Sequence, residues 1–406
     1  MEPKIRFKGF EGEWKTSTIG EIAPLSGGYA FQSNHFSSVG IPIVRISNIL
    51  ETGIVGGVFA KYATFDGDAD FRLYDGDAVI AMSGATTGKV AIVHTQGFLY
   101  QNQRVGKFTK TDRVIYDFLT TIVKSHKFRA DLSCLLTSSA QPNASSKDID
   151  SITQSIPLDK DEQQAIGKYF TSLDSQISAS TSRLASLKQM KAASLQAIFP
   201  QEGETVPKIR FKGFEGEWKK VKLGDIAKFT KGQGYSKSDL KETGQPIILY
   251  GRMYTKYQFV IDEVDTFANL KDASILSEGD EIIMPASGET PEDIACASAV
   301  LAKDIILGGD LNIMHFDLTK ISTPYIALVI TYSKTHHDLS KCAQGKSVVH
   351  LHNGAISRAT ISLPSLAEQQ AIASYFTSLD RQISLQSQRL KKLKQIKSAC
   401  LDKMFV

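Results

Sequence analysis

The dodecamer PKIRFKGFEGEW fills residues 3–14 and recurs unaltered at residues 207–218 of a 406-residue chain. A string holding Pro, Trp and two Phe does not repeat by chance, so the chain is one plan used twice. After each copy comes a short strand-like stretch, TSTIGEIAPL or KVKLGDIAKF, then a Gly-rich turn reaching a tyrosine, SGGYAF or KGQGYS. GIPIVRISNI then matches GQPIILYGRM, and LYDGDAVIAMSGAT matches LSEGDEIIMPASGET. Short apolar runs between Gly turns predict strands, so each half holds one mixed α/β globular domain. A chain of 406 residues also exceeds what one core usually serves, which agrees with two domains.

Both halves end alike. EQQAIGKYFTSLDSQI at Glu162–Ile177 matches EQQAIASYFTSLDRQI at Glu368–Ile383, and each opens a long segment free of Pro and Gly. Phe170, Leu173, Ile177, Leu184 and Leu187 recur at heptad spacing, as do Phe376, Leu379, Ile383, Leu390 and Leu393. The seam is interrupted at one slot, by Ser180 in the first and Gln386 in the second. Two helices of about 50 Å with matching seams are expected to pack on each other, since either alone would expose an apolar stripe. The expected boundaries are a domain over 1–160, a helix over 161–200, a second domain over 201–366 and a second helix over 367–406. The overall class is α+β with a pseudo-two-fold internal repeat.

Divergence between the halves is uneven. Dodecamers and helix starts are nearly identical, while polar residues in the globular parts differ: VRISNIL against LYGRMYT, ATTGKV against ETPEDI. Shared scaffold with unshared polar surface is the pattern of two readers of different things on identical mounts.

Several motifs point toward chemistry and fall short of it. SGATTGKV at Ser83–Val90 is one residue short of a phosphate loop and has Val90 where a magnesium-binding hydroxyl belongs. Its counterpart SGETPEDI has no lysine. The pair His350 and His352 would share one face of a strand, yet no third metal ligand stands at a recognisable spacing. GGDLN at Gly308–Asn312 carries an acid that its partner YQNQRV at Tyr100–Val105 lacks, which argues against paired carboxylates for acid–base work. No G-x-S-x-G, H-E-x-x-H or N-P-P-aromatic string occurs, so the chain alone is expected to catalyse nothing and to bind no cofactor or metal. The four scattered cysteines and the charged, signal-free N-terminus MEPKIRFKGF fit a reducing cytoplasm. A net charge of +4 is weakly basic. Arg381, Arg389, Lys391, Lys392, Lys394, Lys397 and Lys403 on the last helix read first as a solvated face, second as a track for phosphates or an acidic helix.

The KIRFKGFEGEW lead, the L-x-x-G-D and SG-x-T turns, QNQRV and the doubled EQQAI…YF-x-SLD-x-QI helix start resemble the specificity (S) subunit of type I restriction–modification systems over essentially the whole chain. The resemblance implies two target recognition domains separated by two long antiparallel coiled-coil helices, reading a bipartite, asymmetric double-stranded DNA target. It also implies two modification (methyltransferase) subunits, which bind S-adenosylmethionine and dock on the repeats, and restriction subunits, which use ATP and Mg in the larger complex. Identical mounts then serve two copies of one partner, and the helix pair fixes the gap between half-sites.

Base edges are read by Arg, Asn, Gln, Ser and Thr side chains. Polarity, loop position and half-to-half difference select Arg45, Asn48, Thr86, Gln101, Gln103, Arg104 and Gln141 in the first domain, with Ser83, Lys89 and Asn143 on phosphate. In the second they select Tyr250, Arg252, Tyr254, Thr290, Asn312, His350 and His352, with Ser287 and Lys346 on phosphate. Two rivals stay open on the residues alone: a fused autonomous methyltransferase, and a non-catalytic scaffold binding a ligand other than DNA.

Overall fold

The computed structural model describes residues 3–137 and 143–405. The chain divides into two compact units, one formed by Met1–Thr181 with Gln388–Val406, the other by Ser182–Ser387. Each unit therefore takes part of both long helices, which run over Lys160–Ala197 and Leu366–Met404.

In the first unit the strands Leu25–Ser26, Val105–Phe108, Ala78–Ala81 and Val90–Ile92 form, in that order, a four-stranded antiparallel sheet. A second sheet orders Ala60–Tyr62, Ile41–Val44, Leu99–Gln101 and Arg72–Leu73, with Ile41–Val44 parallel to Leu99–Gln101. The second unit repeats this plan. Ala227–Lys231, Leu311–Phe316, Glu281–Pro285, Ser298–Val300 and Val260–Ile261 form one sheet. Leu240–Lys241, Phe267–Ala268, Gln245–Ile248 and Ile306–Leu307 form the other, again with one parallel pair, Gln245–Ile248 on Ile306–Leu307. The central strand AVIA at Ala78–Ala81 is buried along its whole length, as an apolar run closed by turns predicts for a strand covered on both faces.

The dodecamer is an internal clip. Arg6 forks onto Glu162 with two N–H···O bonds of 2.7 Å, while its other N–H groups donate to the carbonyls of Gly12 at 2.6 Å and Glu11 at 2.8 Å. Trp14, buried, donates its indole N–H to the same carboxylate at 3.3 Å. The second unit repeats the ion pair: Arg210 holds Glu368 at 2.7 Å twice and donates to Gly216 and Glu215, while Trp218 is buried with its indole N–H making no hydrogen bond among the described residues. The Glu368 carboxylate raises the pKa of Arg210, so the guanidinium is charged throughout. Only Arg presents a planar fork that matches a carboxylate this way. The next residue of the motif ties the helix start to the globular part. Gln163 accepts from the Ile115 amide and donates to the Pro157 carbonyl, both at 2.8 Å; Gln369 does the same with Ser322 and Pro364. The repeated strings are thus the two sides of one fastening.

Within each unit the helix segments run antiparallel. In the first, Tyr169 meets Cys400 at 3.7 Å, Lys397 binds Asp174, and Phe170 packs on Phe405 with ring centres 6.3 Å apart. In the second, Tyr375 meets Ser194 at 3.2 Å and Lys191 binds Asp380 at 2.6 Å. Phe170, Leu173, Leu187, Phe376 and Leu379 of the seam are buried, and Phe405 and Phe199 close the two cores. Burial of each such aromatic contributes about 1.5–3 kcal/mol. The Lys4 and Ile5 amides donate to the Lys403 carbonyl, as the Ile209 amide donates to that of Ala197 in the other unit.

Candidate nucleic-acid interface

Three backbone hydrogen bonds recur at one place in both units. In the first, Gln103 N–H donates to Tyr29 O at 2.9 Å, Met82 N–H to Arg104 O at 3.0 Å, and Ala144 N–H to Met82 O at 2.9 Å. In the second, Gly309 N–H donates to Gly234 O at 2.6 Å, Ala286 N–H to Asp310 O at 2.7 Å, and Leu351 N–H to Ala286 O at 2.9 Å. Four chain segments are so held at one junction by main-chain bonds. A glycine makes the approach possible in each case. A Cβ on Gly28 would lie 2.3 Å from Asn102 O, and one on Gly232 would lie 1.9 Å from Gly308 O.

The side chains mounted on this junction differ. In the first unit they line a groove of about 380 Å³ with Met82, Ser83, Gln103, Arg104, Asn143, Ala144, Ser145 and Asp148. Four residues picked from the sequence (Ser83, Gln103, Arg104 and Asn143) therefore meet in one place. Arg104 is exposed, and its turn is stiffened by Asn102, whose Oδ1 accepts the Arg104 amide at 3.2 Å. Ser145 and Asp148 spend their polar atoms on each other in a capping box, and the Ser145 hydrogen bonds hold the Asp148 carboxyl below its ordinary pKa.

Arg45 and Thr86 do not line the groove; Thr86 lies on the turn that follows Ser83. The short turn Gly84–Thr86 lies against Ile46–Asn48, a Cβ on Gly84 falling 3.3 Å from Ile46 Cδ1. Arg45 Nε and Thr86 Oγ1 are both buried and make no hydrogen bond among the described residues, and the Arg45 guanidinium lies 6.0 Å over the Phe36 ring. Lys89 ion-pairs with Glu51 at 2.8 Å and lowers the pKa of that carboxyl, so the phosphate-loop lookalike is a hairpin turn with its lysine engaged. Two further candidates are placed inside. Asn48 is buried and donates to Gly56 O and Val58 O, both at 3.0 Å. Gln101 is fully buried and donates to Ser26 O and Val105 O, both at 2.8 Å. Both fasten loops. Gln141 lies outside the described residues.

In the second unit Ser287 pairs in register with His350, and its hydroxyl donates to Asp310 Oδ2 at 3.1 Å. The exposed His350 and His352 rings lie parallel, 6° apart in plane and 6.2 Å between centres. No group of three or more His, Cys, Asp or Glu among the described residues could hold a metal ion. Asn312 is fully buried and donates to Leu351 O at 2.7 Å, so it fixes the residue between the two histidines. Tyr254 stands beside Gly288, its ring 3.6 Å from where a Cβ would be, and packs near Tyr250 at 6.5 Å. Lys346 is exposed in the loop closed by the Gln344–His350 backbone pair. Thr290 caps the short helix Pro291–Ile294 by accepting the Asp293 amide. Arg252 is taken up by Asp265 at 2.5 Å and Gln258 at 3.1 Å, with little of its side chain exposed.

Asp310 was not among the residues picked from the sequence. Setting GGDLN against YQNQRV pairs Asp310 with Arg104, and the junction shows the same pairing. Counterpart for counterpart, Ser83 becomes Ser287, Arg104 becomes Asp310, and Asn143 becomes His350.

Two mixed α/β units carry different side chains on one backbone junction, with long helices fastened by the same clip. Residues 11–189 and 215–395 each match the family described as "Type I restriction modification DNA specificity domain", and the chain belongs to that family. The S subunit of a type I restriction–modification system from M. genitalium shares the fold. It has a TM-score of 0.65 at 15% identity, with 100% of this chain and 99% of that one covered. The HsdS subunit from Thermoanaerobacter tengcongensis is a looser likeness, with TM-score 0.44, 15% identity and 97% of each chain covered. So is a chain from a study of complex assembly and conformational transition of the type I R-M system, with TM-score 0.48, 15% identity and coverage of 97% and 98%. No curated protein matches the sequence. Among the described residues, no helix is long and apolar enough to cross a membrane.

Proposed function

We propose that the chain reads a bipartite DNA target, one half-site per unit, and brings two modification subunits to it without performing chemistry itself. The observation that carries this is the repeated junction. One set of backbone bonds presents Gln103, Arg104 and Asn143 in the first unit, and Asp310, His350 and His352 in the second. Arg, Asn and Gln suit guanine and adenine edges, while an acid suits an amino donor, so two differently furnished copies fit two different half-sites. Arg45 and Tyr254 stand near these junctions as further contacts, and Lys346, exposed, suits a phosphate.

The mounts carry the partner side of the proposal. Arg6, Trp14, Glu162 and Gln163 are explained by the fold, but Ile5, Lys8 and Glu13 are exposed and still identical to Ile209, Lys212 and Glu217. Exposed identity that folding does not require suits two copies of one docking partner. S-adenosylmethionine is then held by the modification subunits, and ATP with Mg by restriction subunits where these join.

Binding of duplex DNA to the full chain, followed across a salt series, tests the reading. Phosphate contacts give a log–log slope of about −0.9 for each phosphate neutralised. A flat response, or methyl transfer from labelled S-adenosylmethionine by the chain alone, overturns it.

A further inference from the structure

We infer that Asp310 is a specificity-determining residue of the second unit and that it takes the 4-amino group of a cytosine. The inference rests on the DNA-reading proposal above and goes beyond it by naming the base. Asp310 is exposed, and it occupies the junction position that Arg104 holds in the first unit, its carbonyl accepting the Ala286 amide as that of Arg104 accepts the Met82 amide. The charge at that position is therefore inverted between the units.

An ionised carboxylate only accepts hydrogen bonds, so it suits an exposed donor and is repelled by the keto oxygens of guanine and thymine. One of its oxygens, Oδ2, already accepts the Ser287 hydroxyl, which orients the carboxylate and leaves Oδ1 to meet an outside donor. Adenine and cytosine both present an amino group in the major groove, but adenine sets the N7 lone pair beside it, facing the same carboxylate. Cytosine has no acceptor there and is the better fit. The backbone at Asp310 is left-handed, with φ of 57°, a conformation that Asp and Asn tolerate and Gly adopts freely. Asp310→Asn and Asp310→Gly are thus substitutions that the turn accepts.

Selection of bound duplexes from a randomised library, by the full-length wild type and both variants, tests the inference. Wild type is expected to enrich one invariant C·G pair in one half-site. Asp310→Gly is expected to lose about five- to 150-fold discrimination at that pair alone, the range of one good base contact. Asp310→Asn is expected to move the preference toward adenine, which an amide can contact bidentately. If wild type selects a bipartite motif and neither variant changes it, the assignment of Asp310 is overturned while the DNA-reading proposal stands. If wild type selects no sequence at all, that proposal fails. Loss spread over both half-sites, with unchanged thermal melting, also overturns the assignment.

Discussion

Replacing Arg6 by Ala opens the first clip and leaves Glu162, with none of its side chain exposed, without its cation. Removing one partner of a buried ion pair costs about 3–5 kcal/mol, because the remaining charge stays desolvated. The Trp14 indole N–H still reaches that carboxylate at 3.3 Å, which puts the expected cost near the lower end, about 3 kcal/mol. For a unit of roughly this size, each kcal/mol moves the melting midpoint by about 2–4 °C, so the first unit should melt about 6–12 °C lower. Calorimetry gives the shift, and hydrogen exchange read by mass spectrometry gives its location. Residues 3–14 should lose protection while 207–218, fastened by their own Arg210–Glu368 pair, keep theirs. Pairing Arg6→Met with Glu162→Leu should recover only part of the loss, since well-packed apolar substitutes for a buried ion pair are often neutral but the Trp14 indole N–H loses the Glu162 carboxylate. A shift below about 2 °C, or equal deprotection of both dodecamers, would refute the clip as an energetic fastening local to its unit.

Arg104→Ala should weaken discrimination at one base pair by about 1–3 kcal/mol and leave the other half-site untouched, measured by competition between single-mismatch duplexes. Alkylation by iodoacetamide at pH 8 should modify Cys342, which is exposed, and spare Cys296 until the chain is unfolded. Burial, helped by nearby Asp293, pushes the Cys296 thiol up to about 12, so almost no thiolate is present to react. Peptide mass spectrometry with and without denaturant reads the difference.

What the sequence made legible was whatever carries a period or a repeat. The heptad positions Phe170, Leu173, Phe376 and Leu379 are buried as their spacing required, and the doubled strings marked the two units. The reason for the doubling was only half visible, because Arg6 and Glu162 lie 156 residues apart and nothing local pairs them. Short strands joined by Gly turns blur the other signal, the side of the chain on which a polar residue falls. Asn48, Gln101 and Asn312 have the side chains of base readers, yet their amides close loops inside the domain. Arg252 looks available until Asp265, 13 residues on, is seen to hold it. Asp310 is legible only when GGDLN is set beside YQNQRV, where it falls opposite Arg104.

Because most ties at the junction run between main-chain amides and carbonyls, the identity of residues 103, 104, 143, 350 and 352 is largely decoupled from foldability, while residue 310 is held to the few types that accept a left-handed backbone. Mutational drift at these positions need not pass through unstable intermediates. A lineage carrying this chain can therefore vary the side chains set on the junction one residue at a time, with abundance in the cell staying level.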